Sequence, residues 1–461
     1  MSPVAHLLAV VLTAAGFIIL PLFFVMIRGK PPNDVWAKLD TVGVPHTGGS
    51  MSWALAIVKS VTSMQDTMRE GYKKFSKANK PFALPTMWIG GALVVLPPSM
   101  LHLLNKPRDE LSSFDALLEN AQFQYLMTDK DVWSNTIHFD IVRKNLAPKD
   151  MGILAGIMAE EWDAAFLRYW GESQEGTNVN AWDSMVRIIA RAALRIMVGL
   201  PGSKNEDYLE QSRLYANAVL VDAYLWWRRR CGNAREKREK REKREKREKR
   251  EKREKREKMM SHPSSGEIVN TLESECRRVS DQYQGLSTKE SIDALYCVDS
   301  AVRESMRLND VMVHLLPLNV LSGDAIDLGE GRRITAGSNI RTVFPAQMVH
   351  MDPDIYDQPG KFDPFRFSRG FETPQDSNAQ QATTKRELMT TVSTSFLPFG
   401  YGRHACPGRW FVAQMVKQAL SYVLLNYDVE VVKKPGERMS MLNFMLPPQS
   451  AEIRVSRKVG V

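Results

Sequence analysis

The spacing of apolar positions along the chain predicts a mostly helical protein with a few short strands. Residues Val4 to Ile27 (VAHLLAVVLTAAGFIILPLFFVMI) run for 24 positions without a formal charge, enough to cross a bilayer even when tilted. Arg28 and Lys30 follow at once, and that asymmetry sets the rest of the chain on the cytosolic side. A cleaved signal peptide would need a basic leading segment and a shorter apolar run. The pattern therefore predicts an uncleaved anchor over residues 1–30. A helical period follows from Trp53 to Ser76, and TMWIGGALVVLPP (86–98) predicts a two-strand hairpin turning at Gly90 and Gly91 and stopped by Pro97 and Pro98. Helical spacing returns in IHFDIVRKNLAP (137–148), AGIMAEEWDAAFLRYW and AWDSMVRIIARAALRIMVGL, up to a break at Gly199 and Pro201. The apolar segment Leu214 to Trp227 ends in Trp-Trp-Arg-Arg-Arg, which suits either a membrane interface or a core helix with a basic cap.

The C-terminal half continues the pattern. KESIDALYCVDSAVRESMRL (289–308) is an amphipathic helix with Leu295, Val298, Val302 and Met306 on one stripe. Leu315 to Val343 has short β-prone runs punctuated by Gly323, Gly329, Gly331 and Gly337, hence small hairpins. A helix is predicted from Arg409 to Tyr427, and YDVEVVKK and AEIRVSRK form a further pair of strands.

One tract breaks every period. Residues 235–258 are eight copies of Arg-Glu-Lys, and their sixteen basic and eight acidic side chains supply nearly all of the net charge of +9. The rest of the chain is close to neutral, so no nucleic-acid footprint is spread over the fold. The tract has no apolar residue, and burying it would desolvate every one of its charges. In a helix its i, i+3 neighbours are all like charges. A solvated arm is the expectation. Length alone would allow two or three domains among 461 residues.

The candidate chemistry lies in SFLPFGYGRHACPGRWF (395–411). Four cysteines, Cys231, Cys276, Cys297 and Cys406, provide neither a disulfide framework nor a C-x-x-C site, and their sparseness fits a reducing compartment. Cys406 sits among Gly400, Gly402 and Gly408, ahead of Pro407 and a helix. Unpaired N–H groups at that helix start, with Arg403 and His404, favour a thiolate able to ligate a soft metal centre.

Phe399, Gly402, His404, Cys406 and Gly408 have the spacing F-x-x-G-x-[R/H]-x-C-x-G, which resembles the haem-binding loop of the cytochrome P-450 superfamily. The resemblance implies that Cys406 is the axial ligand of a haem iron, that Phe399 packs on the sulfur side of the ring and that His404 lies near a propionate. Phe139 and Arg143 partly match the family's W-x-x-x-R helix, whose arginine pairs with a propionate; an ordinary exposed helical arginine is the other reading. Glu304 and Arg307 match the Glu-x-x-Arg pair, and Arg366 in KFDPFRF matches its third, structural member, which locks the haem loop.

The implied protein is mainly α with small β-sheets. Residues 31–461 form one haem-thiolate monooxygenase domain, best matched over 259–461. It inserts one atom of O₂ into an apolar small-molecule substrate of secondary or lipid metabolism, and takes electrons from NADPH through a separate reductase. Its place would be the endoplasmic reticulum membrane, single-pass, with the catalytic domain in the cytosol. The tract stands where the family has its central distal helix with an acid and a threonine. No threonine lies between Leu214 and Asn270, so that helix is expected to be missing or replaced and no catalytic side chain is assigned. Either a gene-model error or genomic replacement has removed that segment, or the chain is genuine and uses its haem differently; the alternative function is a haem-binding pseudo-enzyme without oxygen-activation machinery.

Overall fold

A computed structural model describes residues 39–44, 50–86, 92–121, 129–135, 137–217, 265–338, 340–369 and 387–459. The anchor expected over 1–30, most of the Leu214 to Trp227 segment and the Arg-Glu-Lys tract lie outside the described residues. Among the described residues, no helix is long and apolar enough to cross a membrane.

The chain is mostly helical with small sheets. A long helix, Ser50–Lys74, packs on a five-stranded sheet ordered β1-β2-β8-β5-β3. Its strands are β1 (Phe82–Pro85), β2 (Ala92–Val95), β3 (Leu111–Ser112), β5 (Leu318–Val320) and β8 (Arg341–Val343). β1 and β2 pair antiparallel, Phe82 opposite Val95, and β2 runs parallel to β8. An antiparallel strand pair therefore exists, but its first arm lies at 82–85, earlier than the expected start at residue 86, and the expected turn at Gly90 and Gly91 lies outside the described residues. Packing explains the offset. A methyl group built on Gly71 would overlap the Phe82 ring, so the helix holds the fully buried Phe82 at close range and sets where β1 begins.

A second body is helical. Met151–Trp170, Ala181–Met197 and Arg409–Asn426 share a core of Trp162, Phe166, Trp170, Ile188, Phe411 and Met415. Beside it lies a three-stranded sheet ordered β4-β12-β9, made of β4 (Thr177–Asn180), β9 (Tyr427–Lys433) and β12 (Glu452–Arg457). β9 and β12 are the two strands that alternation predicts; β4, short and largely exposed, has no such signal. The hairpins β6–β7 (Ile326–Asp327, Arg333–Ile334) and β10–β11 (Met439–Met441, Phe444–Leu446) complete the strands.

The 289–308 stretch is two helices, Lys289–Asp293 and Tyr296–Leu308, where periodicity predicts one. A distant carboxylate explains the break. Glu275, on helix Ser265–Tyr283, accepts the N–H groups of Tyr296 and Cys297 at 2.8 Å and of Val298 at 2.9 Å. These are donors that a new helix start leaves without an intrahelical partner. The cap turns the second helix so that Val298 and Val302 enter the core while Glu304 and Arg307 face inward on the next turns.

Candidate functional site

The loop carrying Cys406 is shaped by its own backbone. Gly400 N–H donates to Leu397 O at 2.9 Å, and Cys406 N–H donates to Phe399 O at 2.7 Å. Gly402–His404 form a single 3-10 turn, and the Arg409–Asn426 helix begins just past Cys406. Gly402 has φ +57°, and a Cβ there would lie 2.5 Å from Leu104 O and 2.6 Å from Asn105 Oδ1. A backbone oxygen cannot swing aside, and a left-handed conformation already costs a non-glycine residue about 1–2 kcal/mol. Gly402→Ala is expected to lose about 2–4 kcal/mol, read as a lower denaturation midpoint; wild-type stability would refute this account of the turn.

Cys406 is a free, half-buried cysteine. A Cβ on Gly408 would lie 4.0 Å from its sulfur and 3.9 Å from Val142 Cγ1, so the helix Ile137–Asn145 passes beside the loop. Phe399 packs against Val302, Met389 and Ala413. Arg409 donates to Cys406 O at 2.9 Å and stacks on Trp410 with its guanidinium carbon 3.5 Å from the ring centre.

Glu304, Arg307 and Arg366 come together in the interior. Arg307 Nε and Nη2 donate to the two oxygens of Glu304, each at 2.8 Å, and Arg366 Nε donates to Glu304 Oε2 at 3.2 Å. Glu304 and Arg307 are completely buried. The remaining Arg307 nitrogen, Nη1, donates to His350 O at 2.6 Å and to Pro359 O at 2.8 Å. Forked, charge-assisted geometry of this kind satisfies a buried charge on every side.

Around His404 the described charges are mostly of one sign. Both of its ring nitrogens are buried and make no hydrogen bond of good geometry, although the Lys106 backbone lies within reach. Burial lowers its basicity, nearby Arg108 adds to the effect, and a hydrogen bond with the Lys106 backbone opposes it. Arg108 is itself pulled below the usual arginine range by burial and then by Arg143, and its guanidinium sits 5.4 Å from the centre of the Phe139 ring. Arg143 is largely exposed, 3.7 Å from Asp140. A buried imidazole near the Arg108 guanidinium, which itself feels Arg143, suits an anion. Sequence reasoning missed Arg108, which stands in NKPRDE with no motif around it.

Among the described residues, no group of three or more His, Cys, Asp or Glu could hold a metal ion. A lone sulfur can serve only a metal that brings its other ligands with it, and the adjoining cations suit acidic groups on such a carrier. The residues present therefore fit a haem.

A cysteine in a glycine-rich turn ahead of a long helix, with a buried Glu-Arg-Arg network elsewhere in the interior, resembles the arrangement of the haem-thiolate proteins. Residues 258–455 match the cytochrome P-450 family. The chain is 27% identical to the cytochrome P-450 monooxygenase gloP of Glarea lozoyensis, over 96% of this chain and 95% of that one. It is 26% identical to htyF of Aspergillus rugulosus (90% and 71%) and 25% identical to nodZ of Hypoxylon pulicicidum (96% and 96%), both also named cytochrome P-450 monooxygenases. The alignment to the first runs over 530 positions, more than the 461 residues of this chain, so that relative carries segments without a counterpart here. The match and the names of these relatives support an oxidoreductase of the monooxygenase class, and the family matched over residues 258–455 implies a haem held by a cysteine thiolate.

Proposed function

We propose that the protein is a membrane-anchored monooxygenase that oxidises an apolar small molecule of fungal secondary metabolism. Cys406 would hold the haem through its thiolate, and residues 1–30 tether a single domain of residues 31–461 to the cytosolic face of the endoplasmic reticulum. Electrons come from NADPH through a membrane-bound reductase. The observation that carries the reading is the free Cys406 in its glycine turn, two residues past the buried His404 ring. When bound, the haem supplies reduction of O₂ and insertion of one of its atoms into substrate.

The chain's own residues hold and tune that group. The Phe399 carbonyl fixes the Cys406 amide and so aims the sulfur. His404, Arg108 and Arg143 would balance the acidic groups of the haem. Phe399 and its apolar neighbours Val302, Met389 and Ala413 keep water from one side of the loop. Glu304, Arg307 and Arg366 carry no proton to substrate; their work is to brace the segments that support the loop.

A second reading is favoured by the Arg-Glu-Lys tract and by the missing threonine between 214 and 270. On it the chain is a haem-binding pseudo-enzyme. Purified full-length protein with reductase and NADPH separates the two across a panel of apolar substrates. The monooxygenase predicts substrate-dependent NADPH consumption with oxygenated product. A red-shifted ferrous carbon monoxide band without turnover on any substrate would select the pseudo-enzyme. Resequencing the transcript across residues 228–265 shows whether a helix with an acid and a threonine has been lost.

A further inference from the structure

We infer that His350 positions the Cys406 loop by passing the rigidity of the Glu304–Arg307–Arg366 network to the Leu397 amide, with Asp310 holding its ring in the tautomer this requires. The inference deepens the proposed function, because its consequence for the haem rests on Cys406 being the ligand.

His350 closes the short helix Ala346–His350 and is fully buried. Three parts of it are engaged at once. Its carbonyl accepts from Arg307 Nη1 at 2.6 Å. On the ring, Nε2 accepts the Leu397 N–H at 2.8 Å, and Nδ1 lies 2.7 Å from Asp310 Oδ2. An amide N–H can only donate, so Nε2 carries no proton. The ring proton then sits on Nδ1 and is donated to the Asp310 carboxylate. The neutral Nδ1–H form is the one that satisfies both neighbours; a proton on Nε2 would face the Leu397 N–H head on.

From Leu397 the backbone leads directly to the sulfur. Its carbonyl accepts from Gly400 N, and two residues past it Phe399 O accepts from Cys406 N. The network itself ends on the carbonyls of His350, Asp357 and Pro359 and on the Asp363 amide, all short of residues 395–411. Tyr356 lies under Arg307 and reaches Ser395 O, at the start of that stretch. The His350 ring enters it deeper and in the interior. It also stands beside the Phe396 ring, 5.8 Å between centres, while Arg303 stacks on the same phenyl at 3.8 Å. Leu397 is thus held from the side by an imidazole whose own backbone is clamped by Arg307.

The test uses full-length, haem-loaded protein and three variants. His350→Phe keeps ring size and apolar contact but removes the acceptor. His350→Gln places Oε1 near the position of Nε2 and restores an acceptor. Asp310→Ala leaves the ring but frees its tautomer. Two readouts are taken: amide hydrogen exchange of the peptide containing Leu397, and the fraction of the ferrous carbon monoxide complex absorbing at the unshifted position. The expected result is exchange faster by roughly tenfold or more in His350→Phe and Asp310→Ala, with a rise in the unshifted fraction, and near wild-type behaviour in His350→Gln. Wild-type exchange in His350→Phe, or His350→Gln as fast as His350→Phe, overturns the inference. Should His350→Phe fail to fold, wild-type exchange in Asp310→Ala overturns it and accelerated exchange supports it. A wild-type protein without the red-shifted band would instead sink the proposed function, and the exchange data would still judge the role of His350.

Discussion

Cys406→Ala is expected to remove the red-shifted ferrous carbon monoxide band completely while leaving the chain folded. The two halves of this result have different causes. The band depends on a thiolate donating electron density to iron from the axial side, and among the described residues the sulfur at 406 is the one set in the glycine turn. The fold depends on what alanine keeps. The hydrogen bond to Phe399 O uses the backbone N–H of residue 406, and so does not need sulfur. The side chain is only half-buried, so its truncation costs about 1 kcal/mol. The measurement is the carbon monoxide difference spectrum at matched haem content, alongside a thermal melt. A red-shifted band that survives the substitution would remove Cys406 from the site, and with it the proposed function.

Arg307→Ala carries the largest expected stability effect, a loss of about 3–5 kcal/mol. Glu304 would keep Arg366 at 3.2 Å and the Asp363 amide at 3.2 Å, but lose both of its 2.8 Å bonds to Arg307. The carbonyls of His350 and Pro359 would lose their donor as well. Domains have net stabilities of only about 5–15 kcal/mol, so much of the variant should unfold or fail to retain haem. Denaturant titration reads the effect as a lower midpoint. A double variant, Glu304→Met with Arg307→Leu, tests the cause. If the cost is a stranded buried charge, removing both charges should recover part of the loss. No recovery would mean that the backbone contacts of Arg307 matter more than its ion pair.

These effects differ in how far they could be read from the chain. The turn around Cys406 was legible, because its residues lie within ten positions and their geometry is set by local backbone turns. The Glu304 and Arg307 pair was legible for the same reason, one turn apart on one helix. Arg366 was legible only through resemblance. The way the network meets the loop was not: KFDPFRF was expected to lock it, whereas the hydrogen bonds go to residues 350, 357, 359 and 363. The start of β1 and the break at 294–295 were missed because each is decided by a distant partner, Phe82 against Gly71 and Glu275 against the amides of 296–298.

The amino-acid sequence by itself determined the helical body, the charged tract and the cysteine turn, since apolar period, charge run and glycine spacing are properties of neighbours along the chain. Only the tertiary structure decided which distant groups meet: Arg108 beside His404, Asp310 and Leu397 on the two nitrogens of His350, and Glu275 at the head of another helix. The physical reason is that several of these contacts end on a backbone amide, and every residue but proline has one. Such a partner leaves no signature in residue type, and is selected by how the helices and sheets pack.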